Sequence, residues 1–127
     1  MHKSRLGGLI IDCQTDDLER AASFWSAALG LRVKPPVAGS NPNYRTLNVA
    51  DDQAHIEVQK VEHPSRVHLD IETDDLEAEV RRLEQLGATR IEFVRGWWVL
   101  QAPTGQRFCV VRVQRPDFAE RANVWSD

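Results

Sequence analysis

The sequence predicts an α+β fold made of two tandem copies of a strand–helix–three-strand module. Two observations carry this. Thr15-Asp16-Asp17-Leu18-Glu19 recurs as Thr73-Asp74-Asp75-Leu76-Glu77, 58 positions later. The flanks recur as well: Leu9 to Gln14 and Val67 to Glu72 precede the two copies, and Leu29-Gly30 and Leu86-Gly87 close the segments that follow. Self-similarity at a fixed period marks a duplicated supersecondary unit. A half-chain of ~60 residues is marginal alone, so the halves are expected to share one core.

In the first copy, Leu6 to Gln14 alternates and reads as a strand. Asp16, with Glu19 three residues on, is the expected N-cap in a capping-box variant. Leu18, Ala21, Ala22, Trp25, Ala28 and Leu29 then recur at helical spacing, and Gly30 stops the helix. Leu31 to Lys34 reads as a short strand. Pro35 to Asn43, with three prolines, a glycine and two asparagines, is the longest loop. Tyr44 to Val49 and Ala54 to Val61 read as strands joined by a turn at Asp51-Asp52.

The second copy has shorter connections. Arg66 to Glu72 is a strand, and Asp74 is the expected cap of a helix with Glu77 at N3. Leu76, Val80, Leu83 and Leu86 form its apolar stripe, and Gly87 ends it. Thr89 to Phe93, Trp97 to Gln101 and Arg107 to Val113 are three further strands, the last two joined by a turn at Pro103-Thr104-Gly105-Gln106. His63-Pro64-Ser65 links the copies. The expected organisation is one domain, 1–127, with modules at 6–61 and 66–113 and a tail at 114–127. The tail, with Pro116, Phe118 and Trp125, either docks as a short helix or lies across a partner subunit.

Composition excludes several classes. Hydrophobic content of 42% and charged content of 28% are ordinary for a soluble globular protein. A net charge of -3 gives no basic face for nucleic acid. No apolar run reaches the length of a membrane span, and Met1 to Arg5 leads straight into a strand, so a cytoplasmic protein is expected. The two cysteines, Cys13 and Cys109, form no disulfide framework and are expected as reduced thiols. A structural zinc site built on cysteine pairs is excluded.

Side chains alternate along strands, so parity separates the two faces of each sheet. Val67, Leu69 and Ile71 are expected to pack against the second helix, and Leu9, Ile11 and Cys13 against the first, with Ile56 and Val58. The opposite face then collects Asp12, His55, Glu57, His68, Asp70 and Cys109. These residue types bind metals and move protons, but a solvated polar face gives the same pattern, so both readings stay open. His68 is a candidate base for a nucleophilic Cys109, whose alternative is a small packed hydrophobe. Asp12 and Asp70 occupy equivalent positions and form a candidate acid–base pair. Trp97 and Trp98 adjoin in one strand and must face opposite ways, one toward a ligand and one into the core. Trp25 is expected in the core, and Tyr44 with the loop Pro35 to Asn43 at the rim.

The chain resembles the vicinal oxygen chelate superfamily, which includes glyoxalase I, extradiol dioxygenases and bleomycin-resistance proteins, over residues 6 to 113. The resemblance stands on Asp17-Leu18-Glu19, Phe24-Trp25, Leu29-Gly30 and the late turn Ala102-Pro103-Thr104-Gly105-Gln106. His68-Leu69-Asp70, Gly96-Trp97 and Phe108-Cys109-Val110-Val111 are similar to the glyoxalase-like domain subgroup. The resemblance implies two βαβββ modules whose sheets form a partly open, barrel-like concave cavity. It also implies a homodimer that binds a small organic molecule there.

Metal-using members carry ligands at positions that here hold Ile10, Glu57, His68 and Cys109. Ile10 cannot coordinate, so the implied metal set is Glu57, His68 and Cys109, a degenerate site for a divalent ion (zinc, nickel, manganese or iron) if any cofactor is used. Thiolate beside carboxylate favours zinc. The implied catalytic residues are His68 and Glu57, and the implied substrate-binding residues are Asp12, Asp70, Trp98, Tyr44 and Cys109. Two functional classes follow. One is a small-molecule binding protein of the bleomycin-resistance kind. The other is an enzyme, either a glyoxalase I-like lyase or isomerase or a dioxygenase with Glu57 and His68 as metal ligands, or a metal-free enzyme using His68 with Asp70 or Glu57 as acid–base groups.

Overall fold

The computed structural model describes residues 1–126; Asp127, the end of the tail, lies outside the described residues. Among the described residues there are eight strands and three helices, a mixed α+β fold of βαβββ type. The chain divides into two compact units, one of residues 9–67 and one of residues 1–8 with 68 onward.

The unit 9–67 takes the second half of β1 (His2–Gln14), then α1 (Leu18–Leu29), β2 (Tyr44–Leu47) and β3 (His55–Val61). Its strand order is β2-β3-β1, an open path ending at β2. The β2–β3 hairpin is antiparallel, with Leu47 opposite Ile56 and Arg45 opposite Val58. Alternation sends Leu47, Val58 and Ile56 toward α1, where they pack with Leu18, Ala21, Trp25 and Cys13. The expected strand over Leu31 to Lys34 is not formed; only Val33 bridges to Leu47. Pro35 and Pro36 follow at once, and a proline has no N–H to continue a ladder.

The helix caps also differ from expectation. Asp17, not Asp16, caps α1, its carboxylate accepting from Arg20 N at 3.0 Å. The Thr15 hydroxyl accepts from Asp17 N at 3.0 Å and turns the chain so that the second aspartate reaches the cap. The repeat does the same. Thr73 Oγ1 accepts from Asp75 N, and Asp75, not Asp74, caps α2 by accepting from Ala78 N at 3.0 Å. Asp75→Ala is expected to lower stability by about 1 kcal/mol, read from urea unfolding; a change within error would show that the cap contributes nothing.

The second unit takes the first half of β1, then β4 (Arg66–Thr73) from His68 on, α2 (Leu76–Gln85), β5 (Thr89–Val94), β6 (Trp97–Gln101), β7 (Arg107–Arg112), α3 (Phe118–Arg121) and β8 (Asn123–Trp125). Its strand order is β1-β4-β7-β6-β5, open at β5, with β8 paired to β1. Strands β4 and β7 are parallel, while β5–β6 and β6–β7 are antiparallel. Val80 and Leu83 of α2 meet Leu100 and Val110 in an apolar core, with Ile71, Leu76, Trp98 and Phe108 against it. Val67 and Leu69 were expected here too, but they stay 60% and 46% exposed. Helix α2 spans ~15 Å and β4 ~26 Å, so the helix cannot cover the whole strand.

The tail forms a short helix and a strand. Asn123–Trp125 pairs antiparallel with His2–Ser4, and Trp125 Nε1 donates to Ser4 Oγ at 2.8 Å. Two buried carboxylates organise this region. Glu72 accepts from the backbone N–H groups of Gln114 and Arg115, from Arg115 Nε and from Arg5 Nε, at 2.8–3.1 Å. Glu79 meets His2 Nε2 at 2.8 Å and takes a fork of two bonds from Arg82, whose guanidinium lies 3.9 Å over the Trp125 ring. Gly7 allows a close approach where β1 passes Glu72, because a Cβ there would stand 3.1–3.2 Å from Glu72 atoms. No helix among the described residues is long and apolar enough to cross a membrane.

Candidate functional site

The site starts from register. In the parallel pair β4–β7, Asp70 stands opposite Cys109. Residues two apart on a strand share a face, so His68 joins Asp70 on β4. Ligand atoms of His68, Asp70 and Cys109 all lie within 4.8 Å of one another. His68 Nε2 is 3.4 Å from Asp70 Oδ1, and both side chains are largely buried, 12% and 11% exposed. Asp70 Oδ1 is buried and accepts no well-formed hydrogen bond from the protein. Burying a carboxylate oxygen without a donor is costly unless something else meets it. A cation answers that need, and the donor set suits one: imidazole, carboxylate and thiolate are zinc-type ligands.

Antiparallel pairing extends the same face onto β6. Val99 is opposite Cys109, and Gln101 opposite Arg107, so Trp97, Val99 and Gln101 lie beside Cys109 and Arg107. Trp98 takes the other face. It packs against the α2 core, with Phe93 at 5.3 Å and Arg90 at 4.9 Å from its ring. Alternation thus gives the polar face to Trp97, not to Trp98, for which the resemblance implies a substrate-binding role. Leu100, between Val99 and Gln101, is fully buried, as the α2 side requires.

The remaining candidates stand in the unit 9–67. Glu57 is half-buried on β3, and Thr46 Oγ1 donates to its Oε2 at 3.5 Å. Ile10 is 1% exposed, an apolar side chain in the interior. Asp12 is 2% exposed with Arg66 Nε 3.8 Å from its Oδ2. Tyr44 is half-buried opposite Gln59. Cys13 packs with the α1 core, and burial pushes its thiol pKa up, as suits a small hydrophobe. Both cysteines are free thiols.

The structure thus joins two expected metal-ligand residues, His68 and Cys109, with Asp70, which was expected to bind substrate. The i, i+2 spacing of His68 and Asp70 was the sequence signal for that pairing. Arg107 and Gln101 were not singled out; the face parity that placed Cys109 would have found them.

A repeated βαβββ frame with ligand-type side chains on the face away from its helices defines a class of proteins rather than one reaction. A model of the glyoxalase-like domain matches residues 8–111, and the chain belongs to that family. Solved structures show the same fold. Methylmalonyl-CoA epimerase from Streptomyces coelicolor, a variant in complex with 2-nitronate-propionyl-CoA, is 18% identical with a TM-score of 0.61, covering 85% of this chain and 96% of that one. A hypothetical protein from Bacillus halodurans C-125 is 14% identical with a TM-score of 0.59, covering 88% and 96%. A glyoxalase/bleomycin resistance protein/dioxygenase superfamily member from Vibrio splendidus 12B01 is 18% identical with a TM-score of 0.55, covering 87% and 99%. No curated protein matches the chain.

Proposed function

We propose that this protein binds a small organic molecule at the sheet face of His68, Asp70 and Cys109, and that these three side chains hold a divalent cation, zinc by donor type. The convergence of three different donors within 4.8 Å carries the reading. Three protein ligands with an open position is the usual form of a reactive metal site. A cation there supplies a Lewis acid toward ligand oxygens. The protein's own part is to hold the donors at fixed spacing, through the Asp70–Cys109 register, and to bury them.

Metal content after dialysis against zinc tests this. Near-stoichiometric zinc is expected in the wild type. His68→Ala and Asp70→Ala are each expected to weaken retention by more than the roughly 10–100-fold that loss of an outer-shell partner causes. A wild-type protein that retains no zinc, nickel, manganese or iron overturns the metal reading. Glu57→Ala in the same series decides whether the family-equivalent Glu57 is a ligand, as the lyase or dioxygenase alternative requires.

A second reading is supported by the His68–Asp70 contact of 3.4 Å: a metal-free pair that moves a proton to or from a bound carbon acid. Proton transfer of this kind is the step that an epimerase of acyl-CoA esters needs. A bell-shaped pH–rate profile that survives removal of metal supports it. On resemblance, we also propose a homodimer in the cytoplasm; a light-scattering mass of one chain overturns the dimer.

A further inference from the structure

We propose that Arg107 is the anion seat of this face, so that the ligand is a small organic carboxylate; this rests on the reading of the His68–Asp70–Cys109 face as the binding site. Six arginines are buried or half-buried: Arg5, Arg45, Arg82, Arg90, Arg107 and Arg115. Five of them meet a carboxylate. Arg5 and Arg115 hold Glu72, Arg45 holds Glu19, Arg82 holds Glu79 and Arg90 holds Glu77 and Glu84. Arg107 is the exception. Among the described residues its guanidinium meets no carboxylate, and its one side-chain bond is from Nε to Gln101 Oε1 at 2.9 Å.

That bond has a particular consequence. Gln101 stands directly opposite Arg107 in the β6–β7 ladder, so its amide fixes the guanidinium plane from a rigid strand. An amide orients the cation without neutralising it. Both Nη groups are left as a fork, the geometry that takes a carboxylate in two parallel bonds. Half-burying such a cation with no counter-charge is unfavourable unless a ligand completes it.

Position ties the fork to the site. Arg107 is two residues before Cys109, on the same face of β7, ~6.6 Å along the strand. His68 is likewise two residues before Asp70 on the parallel neighbour. Trp97 and Val99, beside Cys109 on β6, offer an apolar surface to the body of the ligand. An anionic head on Arg107 and an apolar or aromatic body toward Trp97 would bring the ligand's remaining oxygens toward His68 and Asp70.

The test uses the full chain and matched probes: benzoate, salicylate, phenylacetate and phenylpropionate, each against its own primary amide. Binding is followed through the Arg Nε–H signals in nitrogen-15 spectra, assigned by Arg107→Lys. At millimolar probe, at least one acid is expected to shift the Arg107 signal and to bind roughly tenfold or more tightly than its amide. Arg107→Met is expected to erase that preference. Gln101→Glu supplies the fork with its own carboxylate and is expected to erase it as well, while Gln101→Met keeps it in weakened form. Zinc retention is expected to be unchanged in Arg107→Met.

Acids and amides that bind alike, an acid preference that persists in Arg107→Met, or no acid that moves the Arg107 signal would each overturn the proposal. The two readings fail separately. Loss of zinc binding with the acid preference intact removes the metal but keeps the anion seat. Normal zinc binding without the preference removes the anion seat alone.

Discussion

Glu72→Ala is expected to lower the unfolding free energy by about 3–5 kcal/mol, the cost of breaking a buried ion-pair network by removing one partner. Glu72 is fully buried and is the common acceptor for Arg5, Arg115 and two backbone N–H groups. Its removal takes the acceptor from Arg5 Nε, Arg115 Nε and two amide donors at once, leaving Arg5 only Asp117 and Arg115 only the Leu6 carbonyl. Glu72→Gln keeps the shape but points an NH2 either at the Nε groups of Arg5 and Arg115 or at the backbone N–H groups of Gln114 and Arg115, donor against donor, and is expected to cost about 2 kcal/mol. Urea unfolding measures both, and a loss below about 1 kcal/mol in Glu72→Ala would show that the network does not hold the unit together.

The same carboxylates set a pH dependence. Burial alone would raise the Glu72 carboxyl, but the bonds from Gln114, Arg115 and Arg5 outweigh it and hold its pKa below the ordinary range. Glu79 behaves alike: burial raises it, and Arg82, His2 and Ser4 more than reverse the effect. A pKa depressed in the folded state means that the unfolded state binds more protons. The contribution is fully present above the unfolded carboxylate value of about 4.3 and is lost as pH falls through the folded values. Stability is therefore expected to decline below about pH 5, and less steeply in Glu72→Ala.

Trp98→Ala and Trp97→Ala are expected to behave oppositely, although the residues are adjacent. Trp98 packs on Val80, Leu83, Leu100 and Val110, and truncating it opens a cavity in that core. A loss of about 3 kcal/mol is expected, the low end for such a change because the ring is only partly buried. Trp97 lies on the polar face, and Trp97→Ala is expected to stay within about 1 kcal/mol of wild type. Tryptophan fluorescence should respond to a carboxylate on Arg107 in the wild type and lose that response in Trp97→Phe. Comparable stability losses in the two alanine variants would overturn the face assignment.

Much of this was legible in the residues. Thr-Asp-Asp-Leu-Glu marks a helix start because threonine turns the chain and an aspartate accepts from the first turn; which aspartate does so depends on the Thr15 and Thr73 hydroxyls, a detail below the level of pattern. Alternation on β4 and β7 placed His68, Asp70 and Cys109 on one face, since period-2 parity survives any tertiary detail. Two things were not legible. Leu31 to Lys34 looks like a strand, but strand formation needs a partner and two prolines end the chain's chance of one. Leu69 looks like core, but its burial depends on the length of α2, which lies elsewhere in the sequence. The Glu72 cluster and the His2–Glu79 contact were hidden for the same reason: those partners lie 42 to 77 positions away, where no local pattern reports them, and only the Arg82–Glu79 pair is local.

The pairing of β8 with the start of β1 bears on the order in which the molecule can assemble. Trp125 and Ser4 are 121 positions apart in sequence, and His2 and Glu79 are 77 apart. Residues 9–67 form a continuous stretch and can gather their contacts as soon as that stretch leaves the ribosome. The other unit is split by this insertion, so its opening segment must wait, with Lys3, Arg5 and Gly7 unmatched, until residues 68 onward arrive. Long-range closure of this kind slows folding. During translation the nascent first half of β1 is thus a waiting edge strand, and its charged residues, Lys3 and Arg5, are of the kind that discourage mispairing there.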